Sequence, residues 1–297
     1  MNFDKYNDYT GGSSTSGLNT TYVGAGSMKV LAINPTQEQL GEIIGEEAAG
    51  KFNTEYSIRE NYNKQQVRPL TIWVTDKDEN VSATIINYDL GKDYVQSKSG
   101  KSQFFSDDGQ VSWANSTDTI QSWIEGPHTQ TTTGQSDWYS FVYKMVKWNK
   151  NDDVPFTQFM EEMNLDVDSI YDGDFSGLHS FVEYMKEKEL SVIAMFTAKV
   201  DDTENGLRTR QRVLSRADYI FYDYRGVTPT QLDLYKKREQ KQQDAGYQLT
   251  NNAYYIANAE DYKENGVDTL VPFDESKHMQ HIQRPGENLD NLLGLMG

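Results

Sequence analysis

Residues 190–224, LSVIAMFTAKVDDTENGLRTRQRVLSRADYIFYDY, carry the pattern that decides the fold. Two strand-like runs, LSVIAMFTAKV (190–200) and LRTRQRVLSRADYIFYDY (207–224), flank the segment DDTENG. The Asn-Gly pair in that segment is a strong signal for a tight turn between strands. The pattern therefore predicts one long antiparallel hairpin.

Arginines occupy alternate positions at the start of the second run. Residues two apart share a face of a strand, so Arg208, Arg210 and Arg212 fall on one side. Their spacing would be about 6–7 Å, near the repeat of an extended nucleic-acid backbone, and guanidinium groups bind phosphate with paired hydrogen bonds. The stripe predicts a phosphate-binding surface, which continued alternation would extend to Arg216 and Tyr222. The alternative is a solvated face whose arginines pair with carboxylates on a neighbouring strand.

The rest of the chain is acidic. Its 297 residues include 28 Lys and Arg against 45 Asp and Glu, a formal net charge of −17. That balance argues against whole-surface attraction to DNA or anionic lipid, so any nucleic-acid contact must be local. The absence of cysteine excludes disulfide and thiolate chemistry and fits a reducing cytoplasm. We expect a soluble protein, without a secretory signal or a membrane span.

Composition divides the chain into three regions. Gly, Ser and Thr dominate residues 1–27, which predicts a flexible N-terminal segment, with order beginning near Met28. Residues 28–273 are predicted to form a single α+β domain. The polar residues 274–297 are predicted to form a flexible C-terminal tail.

Strand and helix patterns alternate within the predicted domain. Period-two patterns at 67–114 indicate strands, and helical spacing at about 135–189 indicates a block of helices before the hairpin. Strands that precede and follow an inserted helical block predict an α+β fold. We expect a small OB-like β-barrel or a strongly bent antiparallel sheet.

Aromatic and basic residues are interleaved in the early strands. Such an arrangement can stack bases, each worth about 1–3 kcal/mol, without sequence preference. Trp73 is interpreted as a core strand residue, whereas base stacking and core packing remain open for the aromatic residues near the Gly/Ser/Lys-rich segment. The candidate nucleic-acid set outside the arginine stripe comprises Arg68, Tyr94, Lys98, Lys101, Phe104, Phe105 and Lys199.

The end of the chain contains the segment NLDNLL at residues 288–293. It resembles the C-terminal tail of single-stranded DNA-binding proteins from tailed bacteriophages. The resemblance implies non-enzymatic binding of single-stranded DNA in phage DNA replication or recombination, in the cytoplasm of an infected host. It also implies a tail that recruits replication proteins, with the docking residues Leu289, Asp290, Leu292 and Leu293. The chain departs from the family in lacking a Cys/His zinc site and in having only a mildly acidic tail.

Catalytic and ligand-binding motifs fail on inspection. Gly100-Lys101-Ser102 ends like a phosphate-binding loop, but Val95 stands where that motif needs glycine. The acidic run at 166–174 fails the calcium-loop pattern because Ile170 occupies a ligand position, so a solvated loop between helices is expected. No nucleophile or acid–base constellation is evident. We expect no catalysis, no cofactor and no metal site.

Two non-DNA alternatives remain open from the sequence. A phage virion or assembly structural protein would act through protein–protein contacts, and its polar, Asn/Gln/Tyr-rich composition fits equally well. A replication accessory protein that docks only other proteins is the second. The discriminating feature is whether the arginine stripe faces an open groove or a row of carboxylates.

Overall fold

The fold is taken from a computed structural model of the chain. The structure describes residues 21–61, 64–76, 79, 81–93, 102–106, 111–114, 116–126, 128–132, 134–147, 155–203, 206–213, 220–221, 253–255 and 270–272. Residues 1–20 of the predicted N-terminal segment and all of the predicted C-terminal tail, residues 274–297, lie outside these ranges.

Strands and helices alternate along the described residues. The strands are β1 (Thr21–Ile33), β2 (Arg59–Glu60), β3 (Gln66–Asp76), β4 (Thr84–Leu90), β5 (Ser102–Ser106), β6 (Val111–Ala114), β7 (His128–Gln130), β8 (Val192–Thr203), β9 (Gly206–Val213), β10 (Ile220–Phe221), β11 (Ala253–Tyr255) and β12 (Leu270–Pro272). The helices are α1 (Gln37–Ile44), α2 (Glu46–Ala49), α3 (Thr117–Ile124), α4 (Gln135–Lys147), α5 (Phe156–Glu162), α6 (Val167–Asp172) and α7 (Ser176–Glu187).

Five long strands form the centre of the larger sheet in the order β9-β8-β1-β3-β4, and every neighbouring pair is antiparallel. β1, β3 and β4 come first in the chain, and β8 returns after the helices to lie beside β1. This is a Greek-key order, with β9 added as the hairpin partner of β8. The predicted hairpin is confirmed, since β8 and β9 pair from Phe196–Val213 to Thr203–Gly206.

The two outer strands of this order come close but do not pair as a ladder within the described residues. The Thr84 hydroxyl of β4 donates a hydrogen bond of 3.3 Å to the Gln211 carbonyl of β9. The predicted α+β class with an antiparallel sheet is therefore confirmed, whereas the described strands do not close into a barrel.

Helices α4 to α7 lie within the predicted helical block at 135–189 and cover one face of the larger sheet. Their apolar residues recur at helical spacing, which places them on a single buried stripe. The fully buried members of the stripe include Trp138, Phe141, Val142, Met145, Leu178 and Phe181. The opposite face of β3 and β4 packs on α1 and α2, where Trp73 is buried as expected.

The predicted start of order near Met28 is wrong, because β1 begins at Thr21. Its Gly-rich half pairs with β8, where Gly24 lies opposite Phe196 and Gly26 opposite Ala194. Strand pairing is made by backbone groups, so a composition typical of linkers does not prevent it. Near the end of the described residues, β12 pairs in parallel with the start of β1.

Tyr88 is a buried tyrosine whose hydroxyl group is expected to destabilise the core. The Tyr88 ring is 4% exposed, and its hydroxyl has no hydrogen-bond partner among the described residues. Burial and the nearby Asp137 carboxylate raise the pKa of Tyr88 well above its ordinary value. A buried hydroxyl without a partner costs free energy, so Tyr88→Phe should raise the free energy of unfolding by about 1 kcal/mol in urea titration.

The matched control is Tyr56→Phe. The Tyr56 hydroxyl is also buried but donates a hydrogen bond of 2.9 Å to the Pro35 carbonyl. Its removal should lower the free energy of unfolding by about 1 kcal/mol. Equal destabilisation by the two substitutions would contradict the description of Tyr88.

Candidate nucleic-acid interface

The outer half of the β8–β9 hairpin gathers basic positions on one face. Arg210 lies directly opposite Lys199, and Arg208 lies opposite Asp201. Directly opposite positions in an antiparallel pair share a face, and neighbouring strands are about 4.8 Å apart. The face therefore carries three basic positions and one acidic position. By register alone, the basic positions on this face outnumber the acidic one.

Arg212 continues the same alternation but is enclosed. It is 6% exposed, and its neighbours Gln211 and Val213, on the other face of β9, are also buried. Both faces of β9 are thus covered at its inner end. The prediction that Arg212 holds a phosphate is wrong, because alternation identifies a face of the strand but not how deeply that face is buried.

A tyrosine absent from the predicted set shares the basic face. β11 pairs with the other edge of β8, and Tyr254 lies opposite Lys199. Positions 210, 199 and 254 therefore form a row across three adjacent strands. The only local signal for β11 is the short run AYY, which is too brief to predict a strand or its partner from the sequence.

A cleft lies on the β3–β4 surface, beside the connection between β1 and β3. The floor is formed by Thr71 of β3 and Asn87 of β4, which lie directly opposite each other. At its side, Arg59 donates a hydrogen bond of 2.9 Å to Asp89, and each side chain is 30% exposed. The cleft has a volume of about 180 Å³ and is lined by Asn53, Tyr56, Ser57, Ile58, Arg59, Pro69, Thr71 and Asn87.

Tyr56 fixes the loop that forms one wall of this cleft. Its backbone has φ 48°, a left-handed conformation that costs a bulky residue about 1–3 kcal/mol. Besides the hydroxyl bond to Pro35, the Tyr56 ring packs edge-on against Phe175 at 5.9 Å. These contacts hold the strained residue in place and leave its neighbour Ile58 41% exposed at the cleft.

Arg68 has an anchoring role. Its Nη1 donates a hydrogen bond of 2.9 Å to the Tyr56 carbonyl, and its Nε donates to the Tyr171 carbonyl of α6. The guanidinium also lies over the Phe175 ring, at 5.7 Å from the ring centre. Arg68 thus ties the cleft loop and a helix to β3, which corrects its prediction as a nucleic-acid-binding residue.

Phe104 and Phe105 lie in the interior, at 0% and 5% exposure. The Phe104 ring packs edge-on against Trp123 of α3, and Phe105 packs against Tyr139 and Phe156. The prediction that these two rings stack on bases is wrong. They belong to β5, a strand that the turn-rich composition around it did not reveal.

The other predicted binding residues stay predictions because they lie outside the described residues. They are Tyr94, Lys98, Lys101, Arg216 and Tyr222, together with the tail residues Leu289, Asp290, Leu292 and Leu293.

The two ends of the acidic run at 166–174 accept backbone hydrogen bonds near the starts of α6 and α7. Asp166 accepts a hydrogen bond of 2.9 Å from the Ser169 backbone at the start of α6. Asp174 accepts one of 3.0 Å from the Ser176 backbone. The hydrogen bond from the Ser176 side chain, followed by those from the Ser176 backbone and the Asn164 side chain, lowers the pKa of Asp174. In the described part of the chain, no group of three or more His, Asp or Glu residues is placed to hold a metal ion.

Comparison with protein-family models, curated proteins and solved structures finds no match to the chain. None of the helices in the described ranges is both long enough and apolar enough to cross a membrane.

Proposed function

We propose that the chain binds single-stranded DNA without catalysing a reaction. The observation that carries the proposal is the register of the β8–β9 hairpin, which places Lys199, Arg208 and Arg210 on one face. Three cationic positions within about 10 Å of one another suit the phosphates of an extended strand. The net charge of −17 on the whole chain disfavours other contacts with a polyanion and confines binding to this face.

The strand order supports an OB-like assignment for the central sheet. OB-folds are five-stranded Greek-key barrels that bind oligonucleotides on the face of their second and third strands. The order β9-β8-β1-β3-β4 has the Greek-key connection, and the Thr84–Gln211 hydrogen bond brings its first and last strands together. In this assignment β3 and β4 are the second and third strands, and the cleft lies on their surface.

The cleft lining suits an unstacked base. Ile58 and Pro69 offer apolar surface, and the Thr71 hydroxyl offers a donor and an acceptor to a base edge. We place the DNA strand with its phosphates on the hairpin face and one base in this cleft. The C-terminal segment resembling phage tails extends the proposal to DNA replication or recombination, with tail-bound replication proteins in a bacterial cytoplasm.

The double substitution Arg208→Ala and Arg210→Ala tests the hairpin face. Affinity for an oligo-dT strand, followed by Trp and Tyr fluorescence, should fall about tenfold or more, because each charge-assisted hydrogen bond contributes about 1.5–3 kcal/mol. The slope of log affinity against log salt should decrease by about 1.4, since each phosphate contact to a single strand contributes about 0.7.

The matched control for this test is Lys51→Ala with Lys188→Ala, which removes the same two charges elsewhere. Both lysines are exposed and pair with neighbouring glutamates. The control should retain the parent affinity and salt slope. An equal loss of affinity in both double variants would show that the effect comes from net charge alone. That result would contradict the assignment of binding to the hairpin face.

A virion or assembly protein is the second candidate, favoured by exposed apolar side chains around the small sheet β6-β5-β7. Val111 and Trp113 of β6 are 36% and 42% exposed, and Ile124 of α3 is 50% exposed. Exposed apolar residues of this size are typical of protein–protein contacts. If the parent protein does not respond to oligo-dT at low salt, this candidate replaces DNA binding.

A further inference from the structure

The small sheet β6-β5-β7 has two edges of different character. In the described ranges, β6 and β7 each pair only with the central strand β5. β7 is polar and reads HTQ (128–130), whereas β6 reads VSWA (111–114). Strand edges are usually protected from pairing with other chains by lysine, proline or a bulge. β6 contains neither residue, and its register with β5 has no shift.

The exposed side chains of β6 share one face of the strand. Val111 and Trp113 are two positions apart, and Val111 lies directly opposite Phe105 of β5. Phe105 is buried, and its ring packs against Tyr139 of α4 and Phe156 of α5. Val111 and Trp113, in contrast, are 36% and 42% exposed. The apolar row that starts in the core at Phe105 therefore continues to the edge of the sheet, where it is only partly covered.

The other face of β6 is packed within the same chain. Ala114 is buried on that face, and Ser112 lies opposite Phe104 of β5. The Phe104 ring packs edge-on against Trp123 of α3, with ring centres 5.2 Å apart. In the described part of the chain, β6 thus has one open face and one open backbone edge. A strand placed beside β6 would satisfy the edge and cover the open face together.

A second copy of β6 is the strand that fits this edge. A two-fold axis through Ser112 would pair two copies antiparallel, with Val111 of each copy directly opposite Trp113 of the other. Directly opposite residues share a face, so all four apolar side chains would meet on the open face. An axis through Trp113 would instead set Val111 opposite the polar Asn115. β6 has no charged residue, so the pairing sets no like charges opposite each other.

We propose that two copies of the chain associate through β6, in antiparallel register centred on Ser112, and join their two small sheets into one. The core row of Phe105 and Val111 then continues into Trp113 of the second copy. A pair of four-residue strands buries less than a standard interface of about 1,200–2,000 Å², so the association is weak and depends on concentration.

The proposed dimer does not depend on DNA binding, and its salt dependence has the opposite sign. Each copy has a net charge of −17, so the two copies repel each other at long range. Salt screens this repulsion and should strengthen the association, whereas it weakens binding to a polyanion.

Sedimentation velocity of the full-length protein tests the association. The parent should change from monomer to dimer as its concentration rises, and at lower concentration when salt is added. Trp113→Lys should weaken the association by about tenfold or more, because a central tryptophan is a frequent hot spot and lysine cannot bury its charge against Val111. A parent that stays monomeric at every concentration would overturn the proposal.

The matched control is Ile124→Lys. Ile124 is 50% exposed, but it lies at the end of α3 that leads into β7, on the side of the opposite edge. This variant should associate like the parent, and circular dichroism should show that both variants remain folded. Equal weakening by the two lysines would show that general apolar exposure, and not the β6 edge, drives the association, and would overturn the proposal.

Disulfide trapping tests the register, because the chain has no natural cysteine. Ser112→Cys would set the two thiols on directly opposite residues, within the Cα separation of about 4.4–6.8 Å that a disulfide spans. With an added oxidant, this variant should form covalent dimers. Thr129→Cys, which places an exposed cysteine on the β7 edge, should not. Equal dimer formation by both variants, or none by Ser112→Cys, would contradict the proposed register and edge.

Discussion

Replacing Gly134 by alanine should severely destabilise the folded protein. An added Cβ at Gly134 would lie 2.0 Å from the Asp89 carbonyl oxygen and 2.7 Å from its carbon. These are backbone atoms of β4, so no side-chain rotation relieves the overlap, and either β4 or the start of α4 must move. We expect a loss of about 4–5 kcal/mol or more, which is a large part of the stability of an ordinary domain.

The substitution Gly45→Ala distinguishes the free-energy cost of this steric overlap from the cost of backbone strain. Gly45 also has a positive φ, of 85°, but an added Cβ there meets no atom within 4 Å. It should cost only the strain of a positive φ combined with an extended ψ of 146°, about 1–3 kcal/mol. Urea unfolding followed by circular dichroism measures both variants. Costs that agree to within about 1 kcal/mol would show that contact with Asp89 is not the decisive term.

Trp138→Ala should produce a loss of similar size by a different mechanism. Trp138 is 0% exposed and packs on Phe141 and Phe181, with ring centres 6.0 and 6.3 Å away. Its Nε1 donates a hydrogen bond of 3.0 Å to the Leu165 carbonyl. The cavity should cost about 3–5 kcal/mol, and the Leu165 carbonyl left without its donor about 1–3 kcal/mol more.

Trp138→Phe distinguishes these two contributions because it retains an aromatic ring and removes only the hydrogen bond and part of the volume. Its cost should be well below that of Trp138→Ala. Circular dichroism is the appropriate measurement, because both substitutions remove a fluorescent tryptophan. Equal costs would indicate that the bond to Leu165, and not packing in the helical layer, sustains this part of the core.

Local patterns explain which elements could be predicted from the sequence. The β8–β9 hairpin was indicated by an Asn-Gly turn between two strand-like runs, and α4 by apolar residues at helical spacing. Both signals involve residues close in sequence. The first half of β1 was missed because its pairing involves a distant partner, with Phe196 opposite Gly24. A run rich in Gly and Ser carries no local sign of such a partner. β5 pairs with the nearby β6 and was missed because of the turn-rich composition around it.

The same distinction applies to the candidate site, where local patterns predicted some residues correctly and could not predict others. Alternation placed Arg208 and Arg210 on one face, and Lys199 was a candidate before the register set it opposite Arg210. Alternation could not reveal that Arg212 is buried, because depth depends on what covers the strand. The cleft also could not be predicted from the sequence, since it is formed where the strained Tyr56 meets strands that follow it in the chain.

The position of β8 beside β1 has a consequence for synthesis on the ribosome. The Gly-rich half of β1 acquires its neighbour only when the chain has been translated past Val192. At about 5–20 residues per second, that delay is on the order of 10–30 s. During this time the Gly, Ala and Ser residues at 24–27 offer other chains little apolar surface. The composition that makes this part of β1 resemble a linker therefore also protects it from premature association.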